Sequence, residues 1–319
     1  MIERWLTAAL LCFLATTTLQ AQEEQNSPTA QAAIGWKLFF DPALSRNSNI
    51  SCASCHDPQL GYGDGKRFST GTHGDVLTRN TPSVVNLAGA THLFWDGRAN
   101  SLEAQALGPL TNPLEMDLTP AEIEQRVAAD DTYRQAFSQI GVEQIGIADI
   151  TAALATFERG LKTGPSAYDR WLQGNADALD KSQSNGRFLF FTRGQCATCH
   201  IGDAFTDHKF HNIGTGTQDD LGRATITGAA SDRGNFKTPS LRNWRGKEPF
   251  MHDGRFATIV EVIDFYTNPP PPDIGESELD PLRFNARDKA DLLAFMDALN
   301  GDWPNLAPYE ERWQALLTH

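Results

Sequence analysis

Two copies of the pattern Cys-x-x-Cys-His constrain this chain more than any other feature. They occupy residues 52–56 (CASCH) and residues 196–200 (CATCH). Two thiols at this spacing suit addition to the two vinyl groups of a porphyrin, and the imidazole that follows then reaches the iron. We therefore predict two covalently bound haem c groups, with thioether links and proximal iron ligands supplied by Cys52, Cys55, His56, Cys196, Cys199 and His200.

The cysteines of the two pentads could also have roles other than haem attachment. The chain has five cysteines, and only Cys12 lies outside the two pentads. In an oxidising compartment four thiols could form two disulfides, and a lone Cys-x-x-Cys could be a redox dithiol or half a zinc site. The histidine directly after each second cysteine favours haem. A disulfide-linked binding module is the remote alternative.

The amino terminus has the pattern of an export signal. An apolar run from Leu6 to Leu19 leads through Ala21 into a polar segment. This run is too short to span a bilayer comfortably and has the length of a signal-peptide core. We expect residues 1–21 to be cleaved, which leaves a product outside the cytoplasm with no membrane span. An uncleaved anchor and lipid attachment at Cys12 are less favoured.

The charge balance narrows the class of partner. The chain carries a formal net charge of -13, which survives signal removal because Glu3 and Arg4 cancel. An acidic chain is poorly suited to nucleic acid or an anionic membrane surface, whereas a basic protein partner is electrostatically compatible.

The two halves of the chain resemble each other. Residues 35–40 (GWKLFF) and 186–191 (GRFLFF) each precede a pentad and predict the end of an apolar-faced helix. This similarity suggests duplication of one small haem domain. Because residues 162–165 break the helical pattern, we place an N-terminal haem domain at 22–164 and a C-terminal haem domain at 165–319, with a tail able to pack back on the first.

Apolar periodicity predicts further helices over 120–140, 147–161, 258–267 and 285–299. Thr119 and Glu122 have the spacing of a capping box at the start of the first of these. The sequence has no run of alternating strands. We therefore expect a mainly α fold: two cytochrome c-like haem domains packed together, with long loops and little β-structure.

Five sequence blocks carry a family resemblance: residues 38–45 (LFFDPALS), 94–99 (FWDGRA), 112–116 (NPLEM), 236–243 (FKTPSLRN) and 251–254 (MHDG). In order and spacing they resemble the bacterial di-haem cytochrome c peroxidase family, which includes MauG. The resemblance implies a periplasmic enzyme that reduces hydrogen peroxide with electrons from a redox-protein donor. The donor would be a small cytochrome c, a cupredoxin or a protein substrate, and a homodimer is compatible.

The resemblance implies that the N-terminal haem reacts with peroxide and the C-terminal haem transfers electrons. It places Gln105, Pro109 and Glu115 in the distal pocket of the first haem. Breaking a peroxide O–O bond requires a group that moves a proton between the two oxygens, and Glu115 is the candidate. Outside the motif, Glu115 would be interpreted as a surface charge.

Two further residues of the family motifs are assigned to the region between the haems. Trp95 matches the tryptophan that relays electrons there, although alone it would be interpreted as a core residue. Arg98 is expected to meet either a haem propionate or Asp96.

His73 matches a histidine that caps the first iron in the resting form of many relatives and then leaves it. Its neighbours Gly71 and Gly74 suit a loop that moves. MauG-like relatives keep this iron open, and an exposed loop histidine is the alternative.

The resemblance also implies a calcium ion between the domains. The Asn80 side chain and the backbone carbonyls around Lys247 and Pro249 would bind it, which suits the preference of calcium for oxygen. Asn80 as an ordinary turn residue is the alternative.

The far side of the second haem distinguishes the family's branches. Most peroxidases place methionine there, whereas this sequence aligns Tyr266, as MauG-like proteins do. Met251 is the alternative ligand, and Tyr266 could instead be a core residue beside Val262 and Ile263. Tyrosine implies turnover through high-valent haem states, and methionine implies a half-reduced enzyme for detoxification.

A surface tryptophan that MauG uses toward its protein substrate is replaced here by residues 192–195 (TRGQ). The substrate of MauG is therefore not expected. The alternative function that is not enzymatic is that of a non-catalytic di-haem electron carrier.

Overall fold

The computed structural model describes residues 28–318, so the expected signal peptide lies outside the described residues. This part of the chain is mainly helical, as predicted, and its one two-stranded sheet is very short. Its helices are α1 (Ala30–Phe39), α2 (Cys52–Cys55), α3 (Leu102–Thr111), α4 (Pro120–Ala129), α5 (Asp131–Ser138), α6 (Ile147–Gly160), α7 (Ala167–Leu172), α8 (Lys181–Phe191), α9 (Ala224–Thr227), α10 (Ile259–Thr267), α11 (Ala286–Asp297) and α12 (Ala307–Leu317), and its strands are β1 (Phe210–His211) and β2 (Phe236–Lys237).

The same helix crossing recurs in each half. In the first half, α1 meets α6 where Gly35 lies directly against the backbone carbonyl of Ala153. In the second half, α8 meets α11 where Gly186 lies against the carbonyl of Asp291. Because a side chain would overlap these carbonyls, only glycine permits such a close approach. Gly35 and Gly186, in the two similar segments, are therefore required for the same reason, the close approach of two helices.

Aromatic packing repeats along with the crossing. Phe39 packs on Phe157 with ring centroids 5.2 Å apart, and Phe190 packs on Phe295 at 5.3 Å. Each pair lies one helical turn beyond the glycine contact. The duplication suggested by the sequence is thus visible in the packing.

The two halves also meet through a reciprocal pair of hydrogen bonds. The backbone N–H of Asn80 donates to the backbone carbonyl of His252 at 2.7 Å, and the backbone N–H of Lys237 donates to that of Trp95 at 2.8 Å. Trp95 and His252 occupy the same position in two similar turns, residues 93–99 and 250–256, each closed by an antiparallel bridge. The interface is therefore close to two-fold symmetric in its backbone contacts.

The C-terminal helix returns to the first core. Tyr309 of α12 packs on Phe157 at 5.1 Å, and Trp313 packs on Tyr133 at 5.6 Å. The chain thus closes the first core after it has built the second. Among the described residues, no helix has both the length and the apolar character needed to cross a membrane.

One predicted helix is wrong and three are confirmed. The segment 120–140 is two helices, because Asp130 is extended and its carboxylate accepts from the amides of Thr132 and Tyr133 to start α5. The capping box of Thr119 and Glu122 is confirmed at the start of α4. The predicted helices over 147–161, 258–267 and 285–299 correspond to α6, α10 and α11.

We predict that Gly35→Ala destabilises the protein, although alanine normally favours a helix. The added Cβ would overlap the Ala153 carbonyl and lie 2.9 Å from Cβ of Phe157. Overpacking of this kind costs about 1–3 kcal/mol. Denaturant unfolding of the holoprotein measures the loss. Gly89→Ala is the control, because its Cβ would meet nothing within 4 Å, and equal stability of both variants would contradict the close crossing.

Candidate active site

Both pentads open into one internal cavity of about 1180 Å³. Cys55, His56, Cys196, Cys199 and His200 all line it. A space of this size between two such motifs is what a pair of haem groups requires. The cavity also collects most of the other residues singled out from the sequence: Asn80, Trp95, Arg98, Gln105, Pro109, Glu115, Lys247, Pro249, Met251 and Tyr266.

The two pentad histidines are held in the same way. His56 Nδ1 lies 3.1 Å from the carbonyl oxygen of Tyr62, and His200 Nδ1 lies 3.0 Å from that of Phe205. A carbonyl can only accept, so Nδ1 carries the proton and Nε2 keeps its lone pair for a metal. Burial lowers the pKa of both imidazoles, which keeps them neutral. This donor set fits haem iron.

The four thiols also suit covalent attachment. None of the four described cysteines is in a disulfide. Burial raises the pKa of each thiol, that of Cys196 to about 12. Neutral, reduced thiols beside a cavity are the form that adds to haem vinyl groups.

A smaller cavity of about 50 Å³ adjoins the first pentad. Cys52, Gln105, Pro109 and Glu115 line it, as the family resemblance implies for a distal pocket. Glu115 Oε1 accepts a hydrogen bond of 2.6 Å from the side-chain amide of Asn112. Burial raises the pKa of Glu115, and this hydrogen bond opposes the rise. The hydrogen bond from Asn112 thus fixes the position of the carboxyl at the wall of this pocket.

The pocket contains a second carboxyl that no sequence motif indicates, that of Glu158 on α6. Its side chain is 4% exposed, and burial raises its pKa to about 8. Its position four residues after Leu154, on the buried face of a predicted helix, was the one available indication.

His73 lies beside this pocket rather than in its lining. Its Nε2 atom is 2.9 Å from Asp117 Oδ2, and the side chain is 42% exposed. Arg46 pairs with the same carboxylate. The structure therefore places His73 in a surface charge cluster, and its role as a switch ligand stays a prediction.

Trp95 lies where the two halves meet. Its indole Nε1 donates to the carbonyl of Asn80 at 2.8 Å, and its ring centroid is 6.4 Å from that of His252. Arg98 pairs with Asp96 at 3.0 Å and also lines the main cavity. The indole is thus fixed where the two halves meet, by contacts to both of them.

Tyr266 approaches the second pentad from α10. Burial raises the pKa of its phenol, and the nearby Cys196 and Cys199 add to the rise. Met251 lies in the turn at the interface with a φ of 73°. Met296 of α11 lines the same cavity and was not considered from the sequence.

The region around Asn80 offers oxygen atoms but no carboxylate cluster. The Asn80 side-chain amide donates to the carbonyl of Lys66 at 2.9 Å. Burial lowers the pKa of Lys247 to about 7, and its ammonium donates to the carbonyl of Arg242 at 2.8 Å. Within residues 28–318, no group of three or more His, Cys, Asp or Glu side chains is arranged to hold a metal ion.

Comparison with known proteins agrees with this geometry. A family model described as "Di-haem cytochrome c peroxidase" matches residues 29–177. The methylamine utilization protein MauG of Methylorubrum extorquens is 41% identical over 282 residues, which are 85% of this chain and 78% of that protein. Cytochrome c551 peroxidase of Nitrosomonas europaea is 34% identical over 324 residues, which are 96% and 94% of the two chains.

A solved structure has the same fold. The crystal structure of a MauG-like protein associated with microbial copper homeostasis superposes with a TM-score of 0.79 and 33% sequence identity. The match covers 87% of this chain and 91% of that one. Similarity of this extent, together with two histidines presented alike on one cavity, shows that the chain belongs to the di-haem cytochrome c peroxidase family and is a haem oxidoreductase with two c-type haems.

Proposed function

We propose that this protein is a periplasmic peroxidase that reduces hydrogen peroxide in the pocket beside the first pentad. A redox protein would supply electrons through the second pentad. The observation that carries the proposal is the position of Glu115, a carboxyl held by Asn112 in a cavity of about 50 Å³ next to Cys52 and His56. Conversion of peroxide to two water molecules consumes two electrons and two protons.

Glu115 moves a proton in this scheme. The haem held by His56 supplies the iron centre at which the O–O bond breaks. Glu115 accepts the proton from one peroxide oxygen and returns it to the other, which leaves as water. Asn112 fixes the carboxyl for both transfers, while Gln105 and Pro109 enclose the pocket and limit the entry of bulk water.

Trp95 is proposed as the electron relay between the two halves. Its position between the pentads and its hydrogen bond to the Asn80 carbonyl support this role. A ring fixed at one orientation gives a constant path between the two haem sites. Arg98, which pairs with Asp96, is proposed to present its remaining donors to a haem propionate.

We propose that Tyr266 would be a further protein ligand to the iron of the haem held by the second pentad. Its phenol lines the cavity and lies close to Cys196 and Cys199, which supports this assignment over Met251. A phenolate is an anionic donor that favours oxidised iron, and each 59 mV of lowered potential is a tenfold bias. The protein would then act as MauG-like enzymes do, on a protein or another large donor.

The Tyr266 proposal predicts that oxidised protein, as purified, reacts with peroxide without a reductant. Tyr266→Met should make the reaction depend on prior one-electron reduction. Optical and EPR spectra recorded during peroxide titration measure the reaction of the wild type and of Tyr266→Met, each before and after one-electron reduction. Tyr168→Phe is a matched control, because Tyr168 packs in the same core without lining the cavity. If the oxidised wild type stays inert until it is half reduced, the methionine-type alternative is correct.

Glu115→Gln should slow peroxide turnover by about 10²- to 10⁴-fold, the usual contribution of a general acid–base group. Steady-state peroxidase assays with a reduced redox protein measure the change, and the haem spectra should be unchanged. Glu143→Gln, at an exposed position, should have no effect. Turnover that survives in Glu115→Gln would remove Glu115 from the mechanism, whereas a wild type without turnover would support the electron-carrier alternative.

We also propose a calcium ion at Asn80, bound with backbone carbonyls around Lys247 and Pro249. The Asn80 side-chain oxygen has no hydrogen bond within residues 28–318, and all three residues line one cavity, which supports the site. Calcium there would stiffen the backbone that accepts the Trp95 hydrogen bond.

Asn80→Ala should weaken calcium binding about 10- to 100-fold, the loss typical when a supporting group is removed from a metal site. Calorimetric titration of chelator-treated holoprotein measures the affinity. Asn268→Ala, an exposed change at the end of α10, is the control. A wild type that binds no calcium would refute the site.

A further inference from the structure

The pocket beside the first pentad contains a carboxyl group that the proposed mechanism does not use. Glu158 lies one helical turn after Leu154 on α6, and both side chains line the cavity of about 50 Å³ together with Glu115 and Gln105. The Glu158 side chain is 4% exposed. Its Oε2 atom has no hydrogen-bond partner within residues 28–318.

Arg159 lowers the pKa of Glu158 but does not offset the effect of burial. Arg159 pairs with Glu103 at 2.7 Å, on the solvent side of α3. A buried carboxyl without a counter-ion or hydrogen bond is more stable in its neutral form. Burial accordingly raises the pKa of Glu158 to about 8, so the group carries a proton at pH 7.

The duplicated fold shows that packing does not require a carboxyl at this position. When the two helix crossings are aligned, Phe157 corresponds to Phe295, and Glu158 therefore corresponds to Met296. Met296 lines the main cavity in the second half. The second half thus has an apolar side chain at this helix position. The first half, which contains Glu115, has a carboxylic acid at it.

A buried carboxylate with a structural role has a different environment in this protein. Asp291 of α11 is 5% exposed, and it accepts hydrogen bonds from Ser182 and Asn185 and pairs with Arg287. These contacts lower the pKa of Asp291. Glu158 has no comparable set of contacts, which distinguishes it from a residue that stabilises packing.

We propose that Glu158 is a proton-holding residue of the peroxide pocket and supplies a proton to Glu115 through water in the cavity. The proposal rests on the proposed reduction of peroxide at this site. Glu115 only shifts the proton that peroxide already carries, whereas the two electrons from the redox-protein donor require two further protons. Because Glu158 and Glu115 line the same cavity beside the haem site, a relay between them needs no path through packed protein.

Infrared spectroscopy of the oxidised holoprotein tests the protonated state without turnover. The wild type at pH 7 should have a deuterium-sensitive C=O band of a neutral carboxylic acid, which disappears as the pH rises through about 8. Glu158→Gln should lack this band. Glu103→Gln should keep it, because Glu103 lies outside the pocket lining. A band that persists in Glu158→Gln would overturn the proposal.

Kinetics tests the relay itself. Peroxide turnover should fall tenfold or more in Glu158→Gln and in Glu158→Met, the side chain that the second half uses. Glu158→Asp, which keeps an acid, should recover part of the rate. Unchanged rates and pH profiles in Glu158→Gln would overturn the relay. If the wild type itself does not reduce peroxide, the proposed function fails instead, whatever the infrared band shows.

Discussion

Each half depends on a close crossing of two helices, at Gly35 in the first half and at Gly186 in the second. Gly35 brings α1 against the backbone of α6, so the end of α1 delivers the chain to the first pentad in one orientation. The two cysteines and the histidine lie within one stretch of five residues, 52–56, and the backbone carbonyl of Tyr62 accepts a hydrogen bond from Nδ1 of the imidazole. The second half repeats each step with Gly186 and His200. A side chain larger than hydrogen at either glycine would disturb the whole sequence of contacts.

The two halves share these backbone contacts but differ in the side chains at a few equivalent positions. We relate the different proposed roles of the two haem sites to these side chains. Equivalent turns present Trp95 in one half and His252 in the other, so an indole and an imidazole face each other across the interface. Equivalent helix positions present Glu158 and Met296. The helix α3, which carries Gln105 and Pro109 over the first pentad, lies in the first half of the chain. The two halves thus share a frame of contacts, and the side chains that differ on it are the ones to which the proposed function gives different roles.

Features that depend on residues close together in the sequence can be predicted from it. Features that depend on contacts between distant residues cannot. The pentads were recognisable because the porphyrin imposes their spacing, and the capping box of Thr119 was recognisable because both partners lie within one turn. The break at Asp130 was missed because apolar periodicity continues across it. Glu158 was missed because periodicity shows which face of α6 is apolar, but not that a cavity lies beside it. The placement of His73 depends on Asp117, which is 44 residues away in the chain.

The two carboxyls of the peroxide pocket have environments that suit different tasks. Burial raises the pKa of both carboxyls, but Glu115 accepts a hydrogen bond from Asn112 that opposes the rise, so its ionised form is easier to reach. Glu158 has no such donor, so its neutral form is favoured and it can give a proton. Unequal environments of this kind are how a single pocket assigns acid and base roles to chemically identical groups. Electrons would reach this pocket past Trp95, at the interface between the halves, whereas protons would reach it from Glu158 on α6. The two supplies would then depend on different residues, so a change in one would leave the other in place.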